Sequence, residues 1–171
     1  MAATKPQDAI ALLKEDHRIV EALFAKFEQA KGDGAKQKIA EQICMELTVH
    51  AQIEEEIFYP ACEGKIDEDL LKEAYVEHDG AKVLIAEIEG GGAKSDDFFE
   101  AKVKVLQEQI EHHVKEEEQR FVGMFSKARR TEIDMDAVGA ELADRKAELI
   151  KTYKASGLPK PELTTMKQTS I

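Results

Sequence analysis

His50-Ala51-Gln52-Ile53-Glu54-Glu55-Glu56-Ile57-Phe58-Tyr59-Pro60 is the stretch on which the reading of this chain turns. Upstream of it Ile39, Ile43 and Leu47 recur at helical spacing, the mark of one buried helix face. Continuing the same steps of three and four leads to His50 and then Glu54. An imidazole and a carboxylate, four residues apart, therefore occupy the face meant for the core. A buried carboxylate without a partner is costly, and Glu is almost never fully buried alone.

The pattern repeats along the chain. His17 falls between Ile10, Leu13 and Val20, Phe24; His78 falls between Ala74 and Ala81; His113 and Glu117 continue Val103, Leu106 and Ile110. Any one of these histidines alone reads as a hydrogen-bonded core residue. Four of them with two glutamates, each near the middle of its own helix, converge on one layer when the helices run side by side. No Lys or Arg on these faces can serve both glutamates, so cations are the expected compensation, and imidazole with carboxylate oxygen suits iron, manganese or zinc. Without a cation Glu54 and Glu117 are expected to protonate or to draw in water.

Those helices are predicted over 7–31, 35–59, 68–89 and 96–128. The breaks are Gly32-Asp33-Gly34, Pro60 with Gly64, and Gly90-Gly91-Gly92, and Asp96 is the expected N-cap of the fourth helix. Four long helices with short loops imply an all-α, up-down-up-down four-helix bundle. A weaker stripe, Val138, Leu142, Leu149 and Tyr153, predicts an extra C-terminal helix over 135–155, appended to the bundle and covering one of its ends. Gly157, Pro159 and Pro161 then open a polar tail, expected to be extended or poorly ordered, to Ile171. The expected division is a metal-holding bundle over 7–128 and a C-terminal helix and tail over 129–171.

Composition narrows the function. The chain has 171 residues, enough for one core, and 35% are charged. A net charge of −11 argues against nucleic acid as a partner, because binding a phosphate backbone needs a cationic face. No apolar run approaches a membrane span and none precedes the first helix, so no membrane partner and a cytoplasmic protein are expected. Cys44 and Cys62 lie on one predicted helix, roughly 27 Å apart, and cannot pair. His-Glu-x-x-His is absent, and so is the Glu-x-x-His pair of ferritin-like bundles.

At Asp16-His17, His50-Ala51-Gln52-Ile53-Glu54 with Phe58-Tyr59-Pro60, Glu77-His78-Asp79, and His113-Val114-Lys115-Glu116-Glu117, the chain resembles the hemerythrin-like family, the HHE cation-binding domain, in order and spacing. The resemblance covers about Ala9 to Ala128. It implies two iron ions bridged by an oxo or hydroxo group and by Glu54 and Glu117, with His17 and His50 on one iron and His78 and His113 on the other. O2 or peroxide would be the small ligand, in sensing, storage or detoxification. The alternative is an enzyme that decomposes hydrogen peroxide or reduces nitric oxide. Oxygen carriers of this kind have a fifth histidine on the third helix, four residues from the first, yet the positions flanking His78 at that spacing are Ala74 and Lys82. Tyr75, Glu55, His112 or water remain the candidates for a seventh ligand. Glu55 and Glu118 otherwise read as outer partners for imidazole N–H groups. Phe24, Phe27, Phe58, Phe121 and Phe125 read as core.

Overall fold

Asp8 starts the first helix, its side-chain oxygen accepting from Ala11 N at 2.9 Å and satisfying one of the free N–H groups that a helix start exposes. The computed structural model describes residues 6–167, so the last residues of the expected tail lie outside the described residues. The helices are α1 (Ala9–Gln29), α2 (Asp33–Ile53), α3 (Tyr59–Cys62), α4 (Glu68–Gly90), α5 (Phe99–Glu118), α6 (Met124–Arg129) and α7 (Met135–Ser156). A π-helical turn, Glu54–Phe58, joins α2 to α3. No strand occurs among the described residues, and α1, α2, α4 and α5 form the up-down-up-down bundle, with α1 closest to α2 and α4 closest to α5.

The core is two apolar clusters rather than one. Leu13, Ile53, Phe58, Leu71 and Phe125 belong to the first, and Phe24, Ile43, Ile85, Phe99 and Leu106 to the second. Between them lies a layer of buried polar side chains that includes His17, His50, Glu54, His78, His113 and Glu117. The apolar halves hold the helices at fixed depth, which is what brings the polar layer into register.

Two helices depart from the sequence reading. The second was expected to stop at Tyr59, and instead the chain turns through Glu54–Phe58 and continues to Cys62. Pro60 has no N–H to donate and its ring crowds the preceding turn. The wider π turn, in which Tyr59 N donates to Glu54 O, lets the helix continue past it. The fourth helix was expected over 96–128, but it starts at Phe99 and ends at Glu118, and α6 follows after a break. Asp96 accepts from Phe98 N in the turn before the helix instead of sitting at its cap position. Phe121 takes φ 70°, and a Cβ at Gly123 would stand 2.5 Å from Gln119 O, so glycine alone permits the fold-back. Phe121 accordingly faces solvent, not the core as expected, whereas Met124 and Phe125 are buried.

The C-terminal helix does not cap a bundle end. It lies along α1 and α2, burying Met135, Leu142, Leu149 and Tyr153 in the first cluster. Gly139 touches the start of α1 backbone to backbone, where a Cβ would meet Gln7 O at 2.3 Å. Lys146 pairs with Asp16, Arg145 with Glu56, and the Tyr153 hydroxyl donates to Gln52. The tail after Gly157 is irregular, as expected, but it is pinned. Thr164 N, Thr165 N, Met166 N and the Thr165 hydroxyl all donate to the Asp79 carboxylate, at 2.6 to 2.9 Å.

Candidate metal centre

Each bundle helix delivers one imidazole to the polar layer, and all four Nε2 atoms point inward. His17 Nε2 and His50 Nε2 are 3.1 Å apart, and His78 Nε2 and His113 Nε2 are 3.2 Å apart. Glu54 lies with Oε1 3.3 Å from His50 Nε2 and Oε2 3.2 Å from His78 Nε2. Glu117 lies with Oε2 3.2 Å from His17 Nε2 and Oε1 3.2 Å from His113 Nε2. Each carboxylate therefore spans both histidine pairs. The structure brings all six sequence-predicted residues together, as one group of His17, His50, Glu54 and Glu117 and a second of Glu54, His78 and His113.

The donor set fits cations. Atoms about 2.1 Å from a metal ion in octahedral geometry stand about 3.0 Å from one another, close to the spacings here. Two buried oxygens, Glu54 Oε1 and Glu117 Oε2, have no hydrogen-bond partner. Orphaned, fully buried carboxylate oxygens are rare, because each loses water without replacement. A cation bound beside them would compensate both oxygens.

Outside this layer every imidazole is held by a carboxylate at Nδ1: His17 by Glu118 at 2.6 Å, His50 by Asp16 at 3.1 Å, His78 by Glu55 at 3.0 Å, and His113 by Glu77. These bonds fix the rings and leave Nε2 as the inward atom. Glu55 and Glu118 thus take the outer role that the sequence suggested. Asp16 and Glu77 went unassigned there, although each immediately precedes an inward histidine.

The electrostatics reverse one expectation. Burial pushes the Glu54 and Glu117 carboxyls up, but the imidazoles more than offset it: Glu54 is held well below the usual carboxylate range by His50 and His78, and Glu117 is lowered to about 2 chiefly by His113 and His17. Burial lowers His50 and His113, yet Glu54 and Asp16 raise His50 to about 10, while Glu117, with Glu77 beside it, carries His113 well above its ordinary value. Without metal the two glutamates favour the charged form, and His50 and His113 favour the protonated one.

Tyr59 is the functional side chain that the sequence reading missed. Its side chain is fully buried and its hydroxyl lies 2.9 Å from Glu117 Oε1, 3.1 Å from Glu54 Oε2 and 3.2 Å from His78 Nε2. On an ordinary α-helix, five residues separate Glu54 and Tyr59 by about 140°. The π turn brings both to one face, and Pro60 was the signal in the sequence. Tyr75, by contrast, packs edge-on against the Tyr59 ring at 5.2 Å. His112 is exposed and lies beside Glu116 and Glu77, outside the layer. Phe125 stacks on His17 at 5.8 Å, so the helix break after Glu118 also closes one side of the centre.

A cavity of about 850 Å³ reaches all four imidazoles. It runs between α2 and α4 and is walled on its outer side by tail residues Leu158 to Thr164. Ala81 lines it, whereas Ala74 packs into the first apolar cluster.

Comparison with known proteins agrees with this geometry. A crystal structure of a hemerythrin HHE cation binding domain-containing protein from Mycobacterium kansasii superposes with a TM-score of 0.72, covering 89% of this chain and 95% of that one at 18% identity, which shows the shared fold. A protein described as a DNA nickase, from Nostoc sp., is 30% identical over 107 residues, 63% of this chain; the match spans only 30% of that longer protein. The sequence also matches the family described as hemerythrin HHE cation binding domain over residues 8–125, a span that begins at the α1 cap, contains every donor described above and ends at the Phe125 that closes the centre. The chain belongs to the hemerythrin HHE cation binding domain family.

Proposed function

We propose that this protein holds two iron ions in the polar layer and uses them to bind O2 or a related small oxidant. The observation that carries the reading is the pair of orphaned oxygens, Glu54 Oε1 and Glu117 Oε2, facing each other across the His17 and His50 side. When bound, an iron pair supplies redox equivalents and a site for a small oxidant. His17 and His50 would hold one ion and His78, His113 and the Tyr59 oxygen the other, with Glu54 and Glu117 available to both. With both glutamates shared, the Tyr59 oxygen gives the His78 and His113 side one protein donor more, so an open position would fall on the His17 and His50 side. Asp16, Glu55, Glu77 and Glu118 keep the imidazole tautomers fixed while charge at the centre changes.

One observation favours the enzymatic alternative, decomposition of peroxide or reduction of nitric oxide, over reversible oxygen carriage. The cavity touching the imidazoles leaves room beside the centre, whereas a long-lived oxygen adduct needs a dry, closed pocket. The nickase activity named for the Nostoc protein is not proposed for this chain, whose net charge of −11 opposes a phosphate backbone. The test is anaerobic reconstitution with ferrous iron, metal analysis, and titration with O2 and then peroxide under visible absorbance. Two irons per chain, oxidised by O2 without reversal and turning over peroxide, is the expected result. One metal or none refutes the centre, and repeated reversible O2 cycling refutes the enzymatic alternative.

A further inference from the structure

The cavity is far larger than O2 or peroxide requires. At about 850 Å³ it falls within the range of pockets that enclose organic ligands. Its inner end is the imidazole layer, and from there it extends past Leu47, Ala81, Ile85 and Ala86 toward Glu89, about three helical turns beyond His78. Most of that wall is aliphatic.

The outer wall is the chain's own tail. Leu158 anchors its near end by packing against both apolar clusters. Its far end is clasped by Asp79, whose buried carboxylate accepts from three backbone N–H groups and one hydroxyl of Thr164 to Met166. Between these two fastenings, Pro159 to Leu163 cross the chamber with no helix of their own. Lys82 adds a tie to Glu162 O at 3.0 Å. A segment fastened at its two ends, with the one Lys82 tie and no helix between them, is a wall that can open by breaking few contacts.

Charge indicates what the chamber takes. Lys82 is spent on Glu55 and Asp79, and Arg145 on Glu56, while Glu63, Glu89 and Glu162 also border the space. Lys160 is the remaining Lys or Arg on the lining, so at the outer end, away from the imidazole layer, carboxylates outnumber it and disfavour an anionic ligand there.

We propose that this chamber binds a neutral, mostly apolar organic molecule, up to about the size of a few fused or linked rings, beside the metal layer, and that the tail from Leu158 to Met166 is the wall that opens to admit it. The inference deepens the di-iron reading by naming what meets the centre from this side, but the chamber itself stands on the fold.

The test uses the full chain loaded with iron and the neutral probe N-phenyl-1-naphthylamine, with bound and free probe separated by ultrafiltration. One probe per chain is expected. Ala86→Phe, which fills the chamber far from the ligands, is expected to weaken binding by about tenfold or more while iron content and helicity stay unchanged. Thr48→Phe fills it from the opposite wall and serves if the first variant fails to fold. Asp79→Ala, which frees the far end of the tail, is expected to speed probe uptake severalfold in stopped-flow fluorescence. Absence of probe binding by protein that holds two irons overturns the chamber and leaves the di-iron reading intact. Probe binding that both filled variants leave unchanged overturns it as well, because the probe then sits elsewhere. Uptake unaltered in Asp79→Ala overturns the role of the tail. Probe bound by a chain that takes up no iron upholds the chamber and refutes the iron reading.

Discussion

Replacing Tyr59 by Phe removes one oxygen and leaves the packing of the ring in place. In the metal-free protein that oxygen lies between two buried carboxylates, 2.9 Å from Glu117 Oε1 and 3.1 Å from Glu54 Oε2. A hydrogen bond to a charged acceptor contributes about 1.5–3 kcal/mol, and its loss here leaves buried oxygens without a substitute. The metal-free Tyr59→Phe protein should therefore be less stable by about 2 kcal/mol, a fall in Tm of about 4–8 °C for a chain of this size. In the ferric protein the same substitution should abolish a visible tyrosinate-to-iron charge-transfer band, which Tyr75→Phe leaves in place. The assays are thermal melting by circular dichroism after chelation, and absorbance after iron loading. An unchanged Tm together with an unchanged spectrum would show that the Tyr59 oxygen neither bonds the glutamates nor meets the metal.

Metal binding at pH 7 should release at least two protons, because His50, raised to about 10, and His113, raised well above its ordinary value, must give up Nε2 protons to bind a cation; calorimetry in buffers of different ionisation enthalpy counts them. For the metal-free fold, the raised His50 contributes stability that is present below its unfolded value of about 6.5 and lost as pH rises through about 10, while the lowered Glu117 contributes stability present above its ordinary 4.5 and lost as pH falls toward 2. Melting should accordingly peak between those limits, and a metal-free Tm that rises from pH 6 to pH 10 would contradict the assignment. Glu54→Gln should destabilise the metal-free protein, since it strips the counter-charge from His50, and urea titration reads the difference. His113→Ala should lose most bound metal and His112→Ala little, as metal analysis of the two proteins shows, given that the first ring is buried in the layer and the second is exposed. Gly139→Ala should cost about 1–3 kcal/mol in the same urea titration, because its Cβ would stand 2.3 Å from Gln7 O and must push α7 off α1.

The sequence by itself determined the bundle and the membership of its inner layer. Periodicity at 3.6 residues decides which side chains face inward, and a histidine or glutamate that continues an aliphatic stripe is conspicuous for breaking it, as His17, His50, Glu54, His78, His113 and Glu117 do. Periodicity is also why Tyr59 was missed. It holds only while each turn has the same width, and the π turn before Pro60 shifts every later residue around the axis. Gly123 hides a second such failure, since the apolar spacing of Phe121, Met124 and Phe125 runs through it unbroken while the backbone reverses. The carboxylates behind the imidazoles, the course of α7 along α1 and α2, and the tail fastened to Asp79 depend on pairs as far apart as Asp16 and Lys146, or Asp79 and Thr165. Local spacing carries no record of such distances; only the packed chain sets which charge lies beside which ring, and so which atoms are left facing the metal layer.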